Sequence, residues 1–123
     1  MVIGLQGVIE GIGVALLESM RPELHADGAL FGPIRRMVLA QERSHQHIGE
    51  RALAAALSDG RITYGAAASA LSEALACGHA LLGHHEDIFE RVGRPIAAMC
   101  TEVTLHAEAF LLTSRRIQSG RLT

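Results

Sequence analysis

Apolar residues along the chain recur at helical spacing and nowhere alternate over the length of a strand, so the pattern predicts helices throughout. Residues 2–17 read VIGLQGVIEGIGVALL, apolar on nearly every side with a single charge at Glu10. They predict a helix over 2–20 that stops before Arg21-Pro22, since the residue preceding a proline is pushed out of the helical region. A turn-rich loop over 21–32 ends in Gly32-Pro33, where Pro33 suits the first position of a second helix running to about Leu57. Ser58-Asp59-Gly60 closes that helix, and Thr63 offers a cap for a third over 64–91. Val92-Gly93-Arg94-Pro95 then separates it from a fourth helix ending near Gln118. The expected architecture is all-α: one domain, an antiparallel bundle of about four helices, built from a hairpin over 1–57 and a trailing hairpin over 63–118.

The polar residues that interrupt this pattern carry the chemistry. A carboxylate in the middle of an apolar helix costs several kcal/mol to remove from water unless a cation or hydrogen-bond donors compensate, and no Lys or Arg lies within 2–17. In the second helix Glu42-Arg43-Ser44-His45 places a carboxylate and an imidazole three residues apart, on one side of the helix. Stepping from Glu42 gives Val38, Glu42, His45, Gly49, Ala52 and Ala56, a stripe of small or apolar residues predicted to face inward. Arg35, Arg36, Arg43, Glu50 and Arg51 fall largely elsewhere. Glu-x-x-His is the pair with which helical bundles hold a metal between facing helices, so Glu10, Glu42 and His45 are the predicted metal ligands. His47 points away from them and reads as a surface histidine.

The third helix carries His79, His84, His85 and Glu86. Successive residues on a helix diverge by about 100°, so this string reads as a solvated polar face. In the fourth, Glu102 and His106 are four apart and Glu108 follows; a single-chain site using Glu10, Glu42, His45, Glu102 and His106 with Glu73 is conceivable, but the helix reads as structural, with a polar face.

Composition narrows the function classes. A chain of 123 residues supports one core, and a formal charge of −2 argues against a nucleic-acid surface. Cys77 and Cys100 fit a reduced compartment and read as small buried hydrophobes. The N-terminal apolar run lacks a basic n-region and is short of the roughly 20 residues a membrane span needs, so the expected location is cytoplasmic, without membrane. Glycines at positions 4, 7, 11 and 13 each cost up to about 1 kcal/mol inside a helix. They predict neighbours that approach closely, or packing in an assembly larger than one chain.

Ile9-Glu10-Gly11-Ile12-Gly13, followed by Glu42-Arg43-Ser44-His45 with Gly49 behind it, resembles the second metal-binding hairpin of the ferritin-like di-iron carboxylate superfamily, bacterial di-iron oxygenases and ribonucleotide-reductase-like proteins in particular. The resemblance covers residues 2–57. It implies that Glu10 matches the family's single Glu, Glu42 the often bridging carboxylate and His45 the terminal imidazole, and that the cofactor is iron, two ions, with manganese the alternative. The chain departs at Gln41, where many relatives have an acid, and at Ser44, where many have arginine. It also resembles only the C-terminal half of the larger architecture, which adds an earlier hairpin with its own Glu and Glu-x-x-His.

A homodimer through the first two helices, or a second chain supplying the missing hairpin, would complete the ligand set. Two copies bring four carboxylates and two imidazoles, −4 against the +4 of two divalent ions. The implied activity is an O2-dependent oxidase or oxygenase acting on a small organic substrate. The alternatives are a ferroxidase or iron-binding protein, and a metal-free helical interaction protein.

Overall fold

A computed structural model of the protein describes residues 10, 11, 13, 14, 28–91 and 93–120. Among the described residues every regular element is helical: α1 (Gly28–Ser58), α2 (Tyr64–His84), α3 (Glu86–Arg91) and α4 (Ile96–Gln118). Glu10, Gly11, Gly13 and Val14 are helical as well, while the rest of the predicted 2–20 helix and the start of the 21–32 loop lie outside the described residues. The chain is thus an all-helical bundle.

α4 is its centre. Met99, Val103, Ala107 and Phe110 recur along one side of it and none is more than 1% exposed. Leu71, Ala74 and Leu82 of α2 pack on the first three of these. Phe110 gathers Leu53 and Leu57 of α1 with Ala67 of α2. α1 and α2 therefore flank α4 rather than one another, and α4 has extensive contact with both. Gly49 makes the approach of α1 possible, because a Cβ there would stand 3.1 Å from the edge of the Phe110 ring. Among the described helices α4 alone has the length and hydropathy of a membrane-crossing helix. The central helix of a bundle has the same character.

Local chemistry sets most helix ends as expected. The Thr63 hydroxyl accepts from the Ala66 N–H at 3.1 Å and caps α2. α1 stops at Ser58 and the chain turns at Gly60, whose φ of 69° only glycine adopts without strain. There Arg61 N–H reaches Ala56 C=O at 3.0 Å and Gly60 N–H reaches Leu57 C=O at 3.3 Å, which satisfies carbonyls the last turn would otherwise leave open. Gly93 ends α3 in the same way, with Arg94 N–H on Phe89 C=O at 2.8 Å.

Two expectations about helix limits are corrected. α1 begins at Gly28, so Pro33 lies inside it rather than at its start. The proline falls past the first turn, where it removes one i→i−4 bond and crowds the carbonyl four residues back. The predicted 64–91 helix is two helices, because His85 departs from helical geometry (φ −113°, ψ 21°). Its N–H bonds Leu82 C=O three residues back, a tightened last turn, and its own C=O accepts from Ile88 N–H to start α3.

Candidate metal centre

Two segments bring the predicted ligands together: the helical residues around Glu10, and the middle of α1, which carries Glu42 and His45. One ligand atom from each of the three lies within 4.8 Å of the other two. His45 Nδ1 stands 3.6 Å from Glu10 Oε1. Glycines fix this meeting. Gly13 passes beside Glu42, where a Cβ would sit 3.6 Å from the carboxylate, and Gly11 is buried against α4, where a Cβ would come 3.1 Å from His106 Cβ. The close approach that these two glycines predict is accordingly made inside one chain, which accounts for them without a subunit contact.

The donor set suits a divalent cation. Metal–ligand bonds of about 2.0–2.2 Å put two adjacent ligands about 3 Å apart and two opposed ligands a little over 4 Å apart. A cluster within 4.8 Å is near those spacings and would need about an ångström of side-chain movement to meet them. Charge agrees: two carboxylates and a neutral imidazole offer −2 to a +2 ion, and without one the acids repel across a partly desolvated space. Glu10 has only 12% of its side chain exposed, as the apolar run around it predicts.

His45 is the departure, with 52% of its side chain exposed where an inward position was expected. The buried row of α1 is set by Gly49, Leu53 and Leu57, with Gln46 half-buried one turn before. Glu42 lies close to that row, and His45, three residues on, swings to its edge, since a step of three turns about 60° short of a full circle. Ala52 of the predicted stripe is exposed for the same reason.

The row also contains a residue that sequence reasoning set outside it. Glu50 is 3% exposed, its carboxylate meeting Gln46 Nε2 at 3.4 Å and His47 Nδ1 at 3.1 Å. The signal was available, because Glu50 is three residues before Leu53 and seven before Leu57 and so shares their side of the helix. His47 itself is a surface residue, 77% exposed, as expected.

Other polar residues divide by burial. Glu73, His84, His85, Glu86 and Glu108 are exposed, in keeping with a solvated face. His79 corrects that reading: it is half-buried and its Nε2 meets Thr104 Oγ1 at 3.1 Å, tying α2 to α4. Glu102 stands 4.0 Å from Arg94. Among the described residues no metal-ligand grouping other than Glu10, Glu42 and His45 occurs, so Glu102 and His106 are not brought into that site. Both cysteines are free; Cys100 is half-buried against the core, but Cys77 is exposed rather than buried.

Compared with protein-family models, curated proteins and solved structures, the chain matches none.

Proposed function

We propose that the chain is a carboxylate–histidine metal protein of ferritin-like character, in which Glu10, Glu42 and His45 hold a divalent ion and two copies together form a di-iron centre. The observation that carries this reading is the convergence of the three ligand atoms within 4.8 Å, from segments some thirty residues apart. Iron suits hard oxygen donors joined by one imidazole, and manganese suits the same set. Bound ferrous iron would supply electrons to dioxygen, so the activity we assign is oxidation of a small organic molecule. The residues of the chain hold the ion, and buried Val14 limits water on the Glu10 side. A cytoplasmic location is consistent with the free cysteines.

The exposure of His45 favours a second reading, in which ferrous iron arriving from solution is itself the substrate. Anaerobic loading with ferrous iron followed by oxygen tests both. One iron per chain, lost in Glu42→Ala and His45→Ala but retained in His47→Ala and His84→Ala, supports the site. Oxygen uptake that oxidises an added organic reductant supports the oxidase, and continuous turnover of added iron with retention of many ions per chain supports the ferroxidase. Absence of bound metal in the unaltered chain defeats both.

A further inference from the structure

The exposed side of α1 carries a second pattern, distinct from its buried row. Ile34, Val38, Gln41, His45, Ile48, Ala52 and Ala55 follow one another at alternating steps of four and three residues, the a/d repeat of helices that pair along a seam. Six of the seven are exposed and Val38 is half-buried. Ile34 and Ile48 stand at 52% and 61%, the latter the most exposed large hydrophobic side chain among the described residues. The seam spans three heptads, about 30 Å of helix. Apolar residues occupy its ends, and its two polar positions, Gln41 and His45, occupy the middle.

That order is self-complementary. When a second α1 is laid antiparallel with Gln41 facing the partner's His45, Val38 meets the partner's Ile48 and Ile34 meets the partner's Ala52. Each contact recurs once more by the two-fold axis, so polar meets polar and apolar meets apolar at every one of these positions. A shift by one heptad would set His45 on the partner's Ile48 and Gln41 on the partner's Ala52, burying both polar groups without a partner, which costs on the order of 1–3 kcal/mol each. The antiparallel sense also opposes the helix dipoles.

His45 links this seam to the metal centre. Its Nδ1 stands 3.6 Å from Glu10 Oε1, so with Nδ1 on the ion the ring would have its Nε2–H to offer to an acceptor. A histidine that binds metal through one ring nitrogen donates the other N–H to an acceptor that fixes the ring. We propose that a second copy of the chain docks antiparallel along this seam, and that the partner's Gln41 accepts the Nε2–H of His45. The inference rests on the metal reading above for the role of Gln41, and not for the pairing itself. Each copy thereby orients the other's ligand and covers its exposed side.

The test measures mass and metal separately. The unaltered chain is expected as a dimer in solution, Ile48→Glu as a folded monomer by circular dichroism with dimer affinity at least about tenfold weaker, and Ile88→Glu, at another exposed isoleucine on α3, as a dimer. An Ile34→Cys/Ala52→Cys double variant should form an interchain disulfide under oxidation. Ala52→Cys alone and the unaltered chain with its native cysteines should not. Gln41→Ala should keep the dimer and bind ferrous iron roughly tenfold more weakly, with Gln41→Asn restoring part of the loss. A monomeric unaltered chain, a dimer that survives Ile48→Glu, or cross-linking of Ala52→Cys with itself overturns the pairing. A dimer with these properties that binds no metal in any variant leaves the pairing standing and defeats the metal reading instead.

Discussion

α1 and α4 lie against each other, and they spend their buried surfaces differently. The inward row of α4 is Met99, Val103, Ala107 and Phe110, and where it admits a hydroxyl, at Ser114, the side chain donates to its own Phe110 carbonyl at 2.8 Å. The inward side of α1 holds Glu42, Gln46 and Glu50 before it turns apolar at Leu53 and Leu57. A buried hydroxyl that closes on its own helix adds little and risks nothing. Carboxylates on an inward face cost stability unless something compensates, and Glu50 has Gln46 and His47 while Glu42 faces Glu10 and His45. α4 thus supplies the stability that the middle of α1 gives up, and the two are coupled where Phe110 meets Gly49, Leu53 and Leu57.

The sharpest way to break that division is to remove its joint. Phe110→Ala deletes a ring that is 1% exposed and touches both flanking helices. We expect a loss of about 3–5 kcal/mol, enough to bring a domain of this size close to unfolding at ambient temperature, measured by urea denaturation. A loss below about 1 kcal/mol would mean that α1 does not depend on α4.

The second effect belongs to α1 alone. A ligand that binds only the folded state stabilises it by about 2.7 kcal/mol at one hundred times its Kd. Ferrous iron should therefore raise the melting temperature by several degrees, a chelator should reverse the rise, and both responses should vanish in Glu42→Ala. Glu50→Gln should keep the response, because Glu50 is held by its own neighbours and not by the ligand cluster. Equal loss in Glu50→Gln would show that the acids of α1 act as one unit.

Gly49→Ala asks how tightly the two helices are pressed. The added methyl improves helix propensity by up to about 1 kcal/mol. It also comes within 3.1 Å of a Phe110 ring that is packed on all sides, and overpacking of this kind costs about 1–3 kcal/mol. The expected outcome is a modest net loss in thermal denaturation. A gain would mean that the ring shifts freely.

These contrasts also explain what could be read from the chain. Helix ends were legible at Thr63 as a cap, at Gly60 and Gly93 as left-handed stops and at Pro95 before α4, but not at Pro33, which lies inside α1. The break at His85 was not, since it lies in a backbone hydrogen bond that no side chain announces. Glu42 and His45 were legible as a pair from their spacing and Glu10 from the apolar run around it, and the structure brings the three side chains together. The tilt of the helix that bears the pair was not legible, because the stripe used to set it was made of Gly49, Ala52 and Ala56, residues too small to distinguish an inward side from its edge. Leu53 and Leu57 would have set it correctly, placing Glu50 inside and His45 at the rim.

The smallest effect concerns α4, and it asks whether its polar groups are structural, as the comparison holds. Thr104 Oγ1 has one hydrogen, which it donates to Cys100 C=O at 2.8 Å. Toward His79 Nε2, at 3.1 Å, the same oxygen must therefore accept, so the imidazole carries its hydrogen on Nε2. Nitrogen-detected NMR of the histidine rings should find Nε2 of His79 protonated. Thr104→Val keeps the shape of the side chain but leaves that N–H in a half-buried place without an acceptor, at a cost of about 1 kcal/mol. His79→Ala should cost a similar amount, and the double variant little more than either alone, since the two changes remove one interaction. Metal binding should not change in any of the three. An Nε2 without hydrogen, or full additivity of the two losses, would show that the pair does not tie α2 to α4; a loss of metal would show that the polar groups of α4 reach the site after all.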